Sequence, residues 1–263
     1  MSQLLDSSVK VQRLDGGVVV ISFHRPQHRN AVDELTARAL RSAFTNFEND
    51  DKMHVAILHG EGDVFCAGAD LKSVAGRSDS PPMDLSMYGP MGPTRFPYLK
   101  KPVIAAVEGY AVAGGLELAL WCDMRVGDES TVFGVFCRRF GVPLIDGGTV
   151  RLPRLIGHSR AMDLILTGRA VDAREALEIG LLNRLVPKGQ VLSSAIEVAR
   201  SIATFPQVCL RSDRQSAIEQ WSMSLPDALS NEFKHGRSPI TSGETVRGAS
   251  RFADGDGRRG SKL

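Results

Sequence analysis

Three stretches of this chain carry residue types suited to chemistry. In residues 100–126, KKPVIAAVEGYAVAGGLELALWCDMRV, an apolar run leads into Gly114-Gly115, and a helical pattern containing Glu117 begins at once. Amides at a helix start lack intrahelical partners and the helix dipole favours negative charge there, while glycine lets a ligand approach the backbone closely. In residues 62–72, GDVFCAGADLK, a strand edge breaks into the small-residue turn Ala67-Gly68-Ala69, followed by Asp70. Two such exposed amides converging on one oxygen would make an oxyanion hole, the arrangement that stabilises charge developing on a carbonyl. The glycines equally suit tight turns chosen for packing, and the lesser alternative for Glu117 is a carboxylate resting on a helix N-terminus. The third stretch, residues 134–148, holds Cys137, Arg138, Arg139 and Asp146 ahead of Gly147-Gly148. No GxGxxG dinucleotide fingerprint accompanies them, since Gly60-Glu61-Gly62 lacks the third glycine.

The elements that must position these residues read as an α/β protein. Residues 18–23 and 55–59 are short β-branched apolar runs expected as buried strands, and residues 103–107 make a third. Between the first two, Asn30 is expected to cap a helix, with Asp33 three places on and Leu35, Leu40, Phe44 and Phe47 on one face. Residues 116–121 form a short helix. Further helices are expected over 158–166, 172–179 and 190–203, then after Phe205-Pro206 through Arg211 to about Trp221, and over 227–233, with an Asp172/Glu175 capping box and Gly180 as a stop. Residues 77–97 show no period and suit a functional lid. The expected organisation is an α/β core over 1–195 and a helical part over 196–263 that packs against another subunit.

Charge and composition exclude other classes. The 263 residues carry 32 Lys plus Arg against 30 Asp plus Glu, a net +2 that offers no electrostatic reason to expect nucleic acid or a membrane surface as partner. The basic run Arg258, Arg259, Lys262 is a solvated tail. Cys66, Cys122, Cys137 and Cys209 have neither zinc-site nor CxxC spacing, and no secretory leader is evident, so a soluble protein of a reducing, cytoplasmic setting is expected. Glu108 and Glu117 interrupt the best apolar run, so no membrane span is expected. The closing Ser261-Lys262-Leu263 is a peroxisomal address only if the source is a eukaryote.

HRPQHRNA (24–31), FCAGADLK (65–72), the 100–126 block and GGTVRLPRLIGHSRAMDLILTGR (147–169) together resemble the enoyl-CoA hydratase/isomerase, or crotonase, superfamily. DAREALEIGLLNRLVP (172–187) and GDGRRG (255–260) continue the resemblance through almost the whole chain in order. It implies a crotonase-like fold of repeated ββα turns with a C-terminal helical trimerisation region, giving homotrimers or hexamers. It also implies an acyl-CoA thioester ligand with no metal and no separate cofactor, CoA being part of the substrate. By motif, the amides of Ala69 and Gly114 hold the thioester oxygen, while Arg25, Ala67, Asp70, Leu71 and Lys72 line the CoA path.

Family hydratases use two glutamates. Glu117 matches the first, but Cys137 occupies the position of the second, where it would line the substrate site. A thiol replaces a carboxyl group poorly, its ordinary pKa being about 8.5. Asp146 is the candidate compensator; it also suits a turn residue accepting amides at Gly147-Gly148 or pairing with Arg138, Arg139 or Arg151. The two arginines suit holding Asp146 or Glu117, reaching a carboxylated acyl chain, or lying at a subunit contact or on the surface. His24 and His28 belong to the nucleotide side. The expected activity is hydration of a trans-2-enoyl-CoA, with double-bond isomerisation by one carboxylate and acyl-CoA binding without turnover as alternatives.

Overall fold

The structure is a computed structural model that describes residues 8–75, 89–95 and 99–255. The basic tail run, the closing tripeptide and most of the 77–97 lid segment lie outside the described residues. The chain divides into two compact units, one ending at Arg200 and the other beginning at Ser201.

The first unit is built on a six-stranded sheet in the order β1-β2-β3-β4-β6-β9. Strands β1 (Val9–Leu14) and β2 (Val18–Phe23) form an antiparallel hairpin, and β3 (Val55–Gly60), β4 (Val103–Val107), β6 (Met124–Gly127) and β9 (Arg184–Leu185) continue parallel to β2. Every residue of β2, β3 and β4 is buried, as parallel strands covered on both faces require. Sequence pattern missed β1 because its four middle residues are exposed on a sheet edge and three of them, Lys10, Gln12 and Arg13, are polar.

A second, shorter sheet orders β5 (Tyr110–Val112), β7 (Val132–Gly134) and β8 (Ala170–Asp172). Chain order shows the repeat: β4 feeds β5 and then helix α3 (Gly114–Trp121), and β6 feeds β7 and then a 3₁₀ turn at Phe136–Phe140. The preceding turn joins through a single rung, Cys66 pairing with Ala111. These are stacked ββα turns, and strands of three residues are too short to announce themselves by period.

Helix α1 (Glu34–Asn49) corrects two expectations. Its N-cap is Asp33, whose Oδ1 accepts the Thr36 amide at 2.9 Å and its hydroxyl at 2.8 Å. Asn30 instead sits buried in the left-handed region at φ 53°, where its amide group donates to the Val64 carbonyl at 2.6 Å and the Glu61 carbonyl at 3.0 Å. Leu35 is 62% exposed, whereas Leu40, Phe44 and Phe47 face the core, because the buried stripe runs through Thr36, Ala37 and Ala43. Phe44 meets Trp121 of α3 edge-on at 4.8 Å between ring centroids.

After the short helix α2 (Leu71–Ala75), the remaining helices of this unit are α4 (Gly148–Ile156), α5 (His158–Thr167), α6 (Ala173–Glu178) and α7 (Val191–Thr204), the last running past the unit boundary. Asp172 caps α6 by accepting the Glu175 amide, and Gly180 follows it in the left-handed region at φ 79°. Helix α4 escaped sequence analysis because Gly147, Gly148 and Pro153 read as breakers. The second unit holds α8 (Gln207–Glu219), α9 (Leu225–Thr241) and α10 (Glu244–Asp254). Helix α8 begins directly after Pro206, as expected, and α9 ends eight residues beyond the expected 233, with Pro239 inside it without ending it. Helix α10 was not expected. Among the described residues, no helix is long and apolar enough to cross a membrane.

The Asn30 bonds tie the loop before α1 to the loop after β3, so they bear on the site below. Asn30→Ala removes them, together with the Arg25 amide bond to Oδ1 at 3.0 Å. Stability should fall by about 3 kcal/mol, read as a lower urea midpoint with unchanged slope. A loss below about 1 kcal/mol would show that this junction does not depend on the side chain.

Candidate active site

Two small-residue turns meet at the heart of the first unit. Cys66 donates its amide to the Tyr110 carbonyl at 2.9 Å, and Val112 donates to the Cys66 carbonyl at 3.1 Å. On the other side of the same turn, Val32 donates to Gly68 O at 2.8 Å and Asp70 donates to Val32 O at 2.9 Å. In such a parallel rung the residue between, Ala69, points its own N–H away from Val32. Gly114 is the first residue of α3, so its N–H has no partner within the helix.

Steric contact explains why these positions are small. A Cβ on Gly115 would lie 2.1 Å from the Cys66 carbonyl oxygen, and one on Gly68, itself at φ 96°, would lie 3.0 Å from the Gly114 nitrogen. Ala113 pays for the sharp turn with φ 54° and ψ −123°, a conformation that costs a side-chain-bearing residue about 1–3 kcal/mol. Ala67, Ala69, Ala113 and Gly114 all line one cavity, with about 630 Å³ of empty space including its open mouth.

Glu117, Cys137 and Asp146 line the same cavity. Glu117 is 2% exposed, and its Oε1 accepts the amides of Asp146 and Gly148, each at 2.8 Å. Its Oε2 accepts no hydrogen bond from the described residues. Burial pushes the Glu117 carboxyl up to about 7; the Gly148 amide opposes this and the nearby Asp146 charge adds to it. Asp146 is equally buried, and its Oδ1 accepts the Thr94 hydroxyl and, at 3.2 Å, the Met91 amide. Burial raises its pKa, while the Thr94 and Met91 donors act in the opposite sense. The Cys137 thiol is raised by burial and then by the Glu117 charge, so it stands as a neutral group.

Of the partners left open for Asp146, Arg151 is present, through the main-chain carbonyl and through its charge. The Asp146 carboxylate does not cap the Gly147-Gly148 turn; the Gly148 amide serves Glu117, and the Gly147 carbonyl accepts the Arg151 amide of helix α4 at 2.8 Å. Arg151 bonds the Asp146 main-chain carbonyl at 2.9 Å and the Thr94 carbonyl at 2.7 Å. Arg138 and Arg139 are exposed and hold neither Asp146 nor Glu117: Arg138 donates to Ile165 O at 3.1 Å, and Arg139 donates to Gly168 O at 2.9 Å while lying over the Phe136 ring.

Of the residues expected along the CoA path, Ala67, Ala69 and Leu71 reach the cavity. Arg25 does not; its guanidinium ties Asp33 at 2.9 Å, Asp70 at 3.2 Å and the Ala31 carbonyl, joining the α1 cap to the Ala69 turn. Lys72 is exposed on α2. His24 bonds Glu61, apart from the cavity lining. Sequence analysis missed Met91, Phe136, Phe140, Val142 and Ile145 as lining residues and Thr94 as the Asp146 partner. The segment around Thr94 has no period or motif that would have flagged it.

Comparison with known proteins bears on this arrangement. Residues 13–256 match the family model described as enoyl-CoA hydratase/isomerase. The chain is 35% identical to an enoyl-CoA hydratase of Mycobacterium tuberculosis over 91% of each chain. It is 34% identical to a carnitinyl-CoA dehydratase of Salmonella agona, over 91% of this chain and 93% of that one. The crystal structure of an enoyl-CoA hydratase from Mycobacterium marinum superposes with a TM-score of 0.88 at 34% identity, covering 95% of this chain and 96% of that one.

A buried carboxyl with a raised pKa destabilises the fold once it ionises. Its ordinary value is 4.5 and its folded value about 7, so the folded state keeps the proton that the unfolded chain has lost between those limits. Stability from this group is therefore greatest below pH 4.5 and declines as pH rises to about 7. Glu117→Gln keeps an acceptor for both amides without the charge. The variant should match wild type near pH 4.5 and exceed it by about 3 kcal/mol at pH 8 in urea unfolding. Equal midpoints at pH 8 would show that Glu117 ionises without cost.

Proposed function

Because the chain belongs to the enoyl-CoA hydratase/isomerase family, we propose that it adds water across the double bond of a trans-2-enoyl-CoA. The observation that carries this reading is the cavity that holds the Ala69 and Gly114 turns beside Glu117. In this reading the two amides receive the thioester oxygen. As water attacks the β-carbon, charge moves through the α-carbon onto that oxygen, and each preorganised amide contributes about 3 kcal/mol to the transition state. Glu117 takes the proton from the attacking water through Oε2, Oε1 being held by two backbone donors. A carboxylate near pH 7 in its midpoint is well matched to accept and return a proton at neutral pH.

The second acid of the reading is Asp146, or a water it holds, delivering the proton to the α-carbon. Its burial favours the protonated form that this role needs. The reaction requires no metal or redox cofactor, CoA being part of the substrate. The dehydratase among the relatives is named for the reverse direction of such chemistry, which the same groups support by microscopic reversibility.

One observation favours a second reading, double-bond isomerisation: Cys137 is a neutral thiol, which leaves Glu117 able to shuttle a proton between the α- and γ-carbons alone. For assembly we propose a homotrimer, or a dimer of trimers, formed through the helical unit. Leu225, Leu229, Phe233 and Ile240 make an exposed apolar stripe on α9, and Val246 and Phe252 extend the apolar surface on α10.

The test is loss of conjugated enoyl-thioester absorbance with 2-enoyl-CoAs of short to long chain, beside 3-enoyl-CoAs. Glu117→Ala should lower turnover by at least about 100-fold while the protein still binds a saturated acyl-CoA. Wild-type turnover in that variant would reject both catalytic readings. Activity confined to 3-enoyl substrates would select isomerisation.

A further inference from the structure

We infer that Thr94 is a positioning residue for Asp146: its hydroxyl, with the Met91 amide, fixes Oδ1 and leaves Oδ2 to serve the cavity. The inference rests on the reading of Asp146 as the acid that protonates the α-carbon. It adds a residue that no part of that reading assigns.

Thr94 lies in a 3₁₀ turn at Pro93–Arg95 and is 1% exposed. It meets Asp146 twice, once by its hydroxyl and once through Arg151, which bridges the two main-chain carbonyls at 2.7 and 2.9 Å. The segment before it is shaped to the same end. Gly89 and Gly92 pair across a tight turn, with the Gly92 amide 2.9 Å from Gly89 O. A Cβ on Gly89 would stand 2.0 Å from Asp146 Oδ1, and one on Gly92 would stand 2.7 Å from the Ala37 carbonyl of α1. Met91 gives its amide to Asp146 while its sulfur lies 2.5 Å from where a Gly114 Cβ would be. Thus residues 89–95 touch both the acid and the turn that supplies an amide. An Asp carboxyl turns easily about its last torsion; two donors on one oxygen remove that freedom.

The charged and titratable groups facing Asp146 are Glu117 from α3, Arg151 from α4 and Arg95 from the Thr94 turn, with Cys137 on the same cavity wall. A hydroxyl donating to a carboxylate favours the ionised form, so its loss moves the Asp146 ionisation to higher pH. Asp146 carries its charge before Glu117 titrates, so the lower limb of the kcat profile follows Asp146 and moves up with it.

The experiment compares Thr94→Val, Thr94→Ala, Thr94→Ser and Asp146→Asn in the full-length protein, measuring kcat and KM across pH. In Thr94→Val, kcat should fall at least about tenfold with KM within about twofold, and the lower limb, which follows Asp146, should move up by about one pH unit. Thr94→Ser, which restores the donor, should recover both rate and profile. Should the valine variant fail to fold, the Ala and Ser pair decides on the same readouts. Asp146→Asn inactive beside a wild-type profile in Thr94→Val, or in Thr94→Ala where valine does not fold, overturns the inference, as does a serine variant that behaves like alanine. Full activity in Asp146→Asn would instead overturn the reading of Asp146 itself, and the inference with it.

Discussion

The structure depends on one close approach: the backbone of Gly115 against the carbonyl of Cys66. That carbonyl also accepts the Val112 amide, so a single oxygen holds the strand that leads into α3 and fits under the first turn of the helix. No side chain fits between them. Because the Ala69 turn follows Cys66 by three residues, this contact sets the separation of two N–H groups belonging to different repeats of the fold. The strain at Ala113 and the left-handed Gly68 are local consequences of bringing the two turns together.

Around that contact the molecule accepts energetic costs that an ordinary core avoids. Two carboxyl groups are buried in one cavity, both with ionisation disfavoured. Other buried charges are compensated by main-chain carbonyls: Lys101 closes the end of α1 on Phe47 and Asp50, and Arg125 gathers the carbonyls of Cys122 and Leu181. The contrast is physical. Lys101 and Arg125 have their donors used by acceptors, whereas Glu117 and Asp146 each keep one oxygen without a protein donor among the described residues.

Much of this was legible in the sequence, for identifiable reasons. The fully buried strands β2, β3 and β4 are dense in Val, Ile and Ala, and the Asp172 cap and the Gly114-Gly115 helix start each have a local signature. The motif resemblance carried the repeat architecture, which strands of three residues never declare by themselves. Asn30 misled because it has the composition of a cap but does its work at long range, bonding residues 31 and 34 positions away. Leu35 misled because apolar spacing alone does not set the phase of a helix. Cys137 and Asp146 drew notice through departure from a family pattern. Their surroundings did not, since the Thr94 and Met91 bonds to Asp146 span more than fifty residues and arise in a segment without periodicity.

The two donors that hold Glu117 are main-chain amides, those of Asp146 and Gly148. Neither bond depends on which side chain residue 146 carries. A lineage can therefore exchange the side chain opposite Glu117, or move a carboxylate one place along the loop, without dislodging the first glutamate. Main chain keeps the constant half of the site and side chains hold the variable half. That separation makes the scaffold evolvable toward new chemistry by single substitutions.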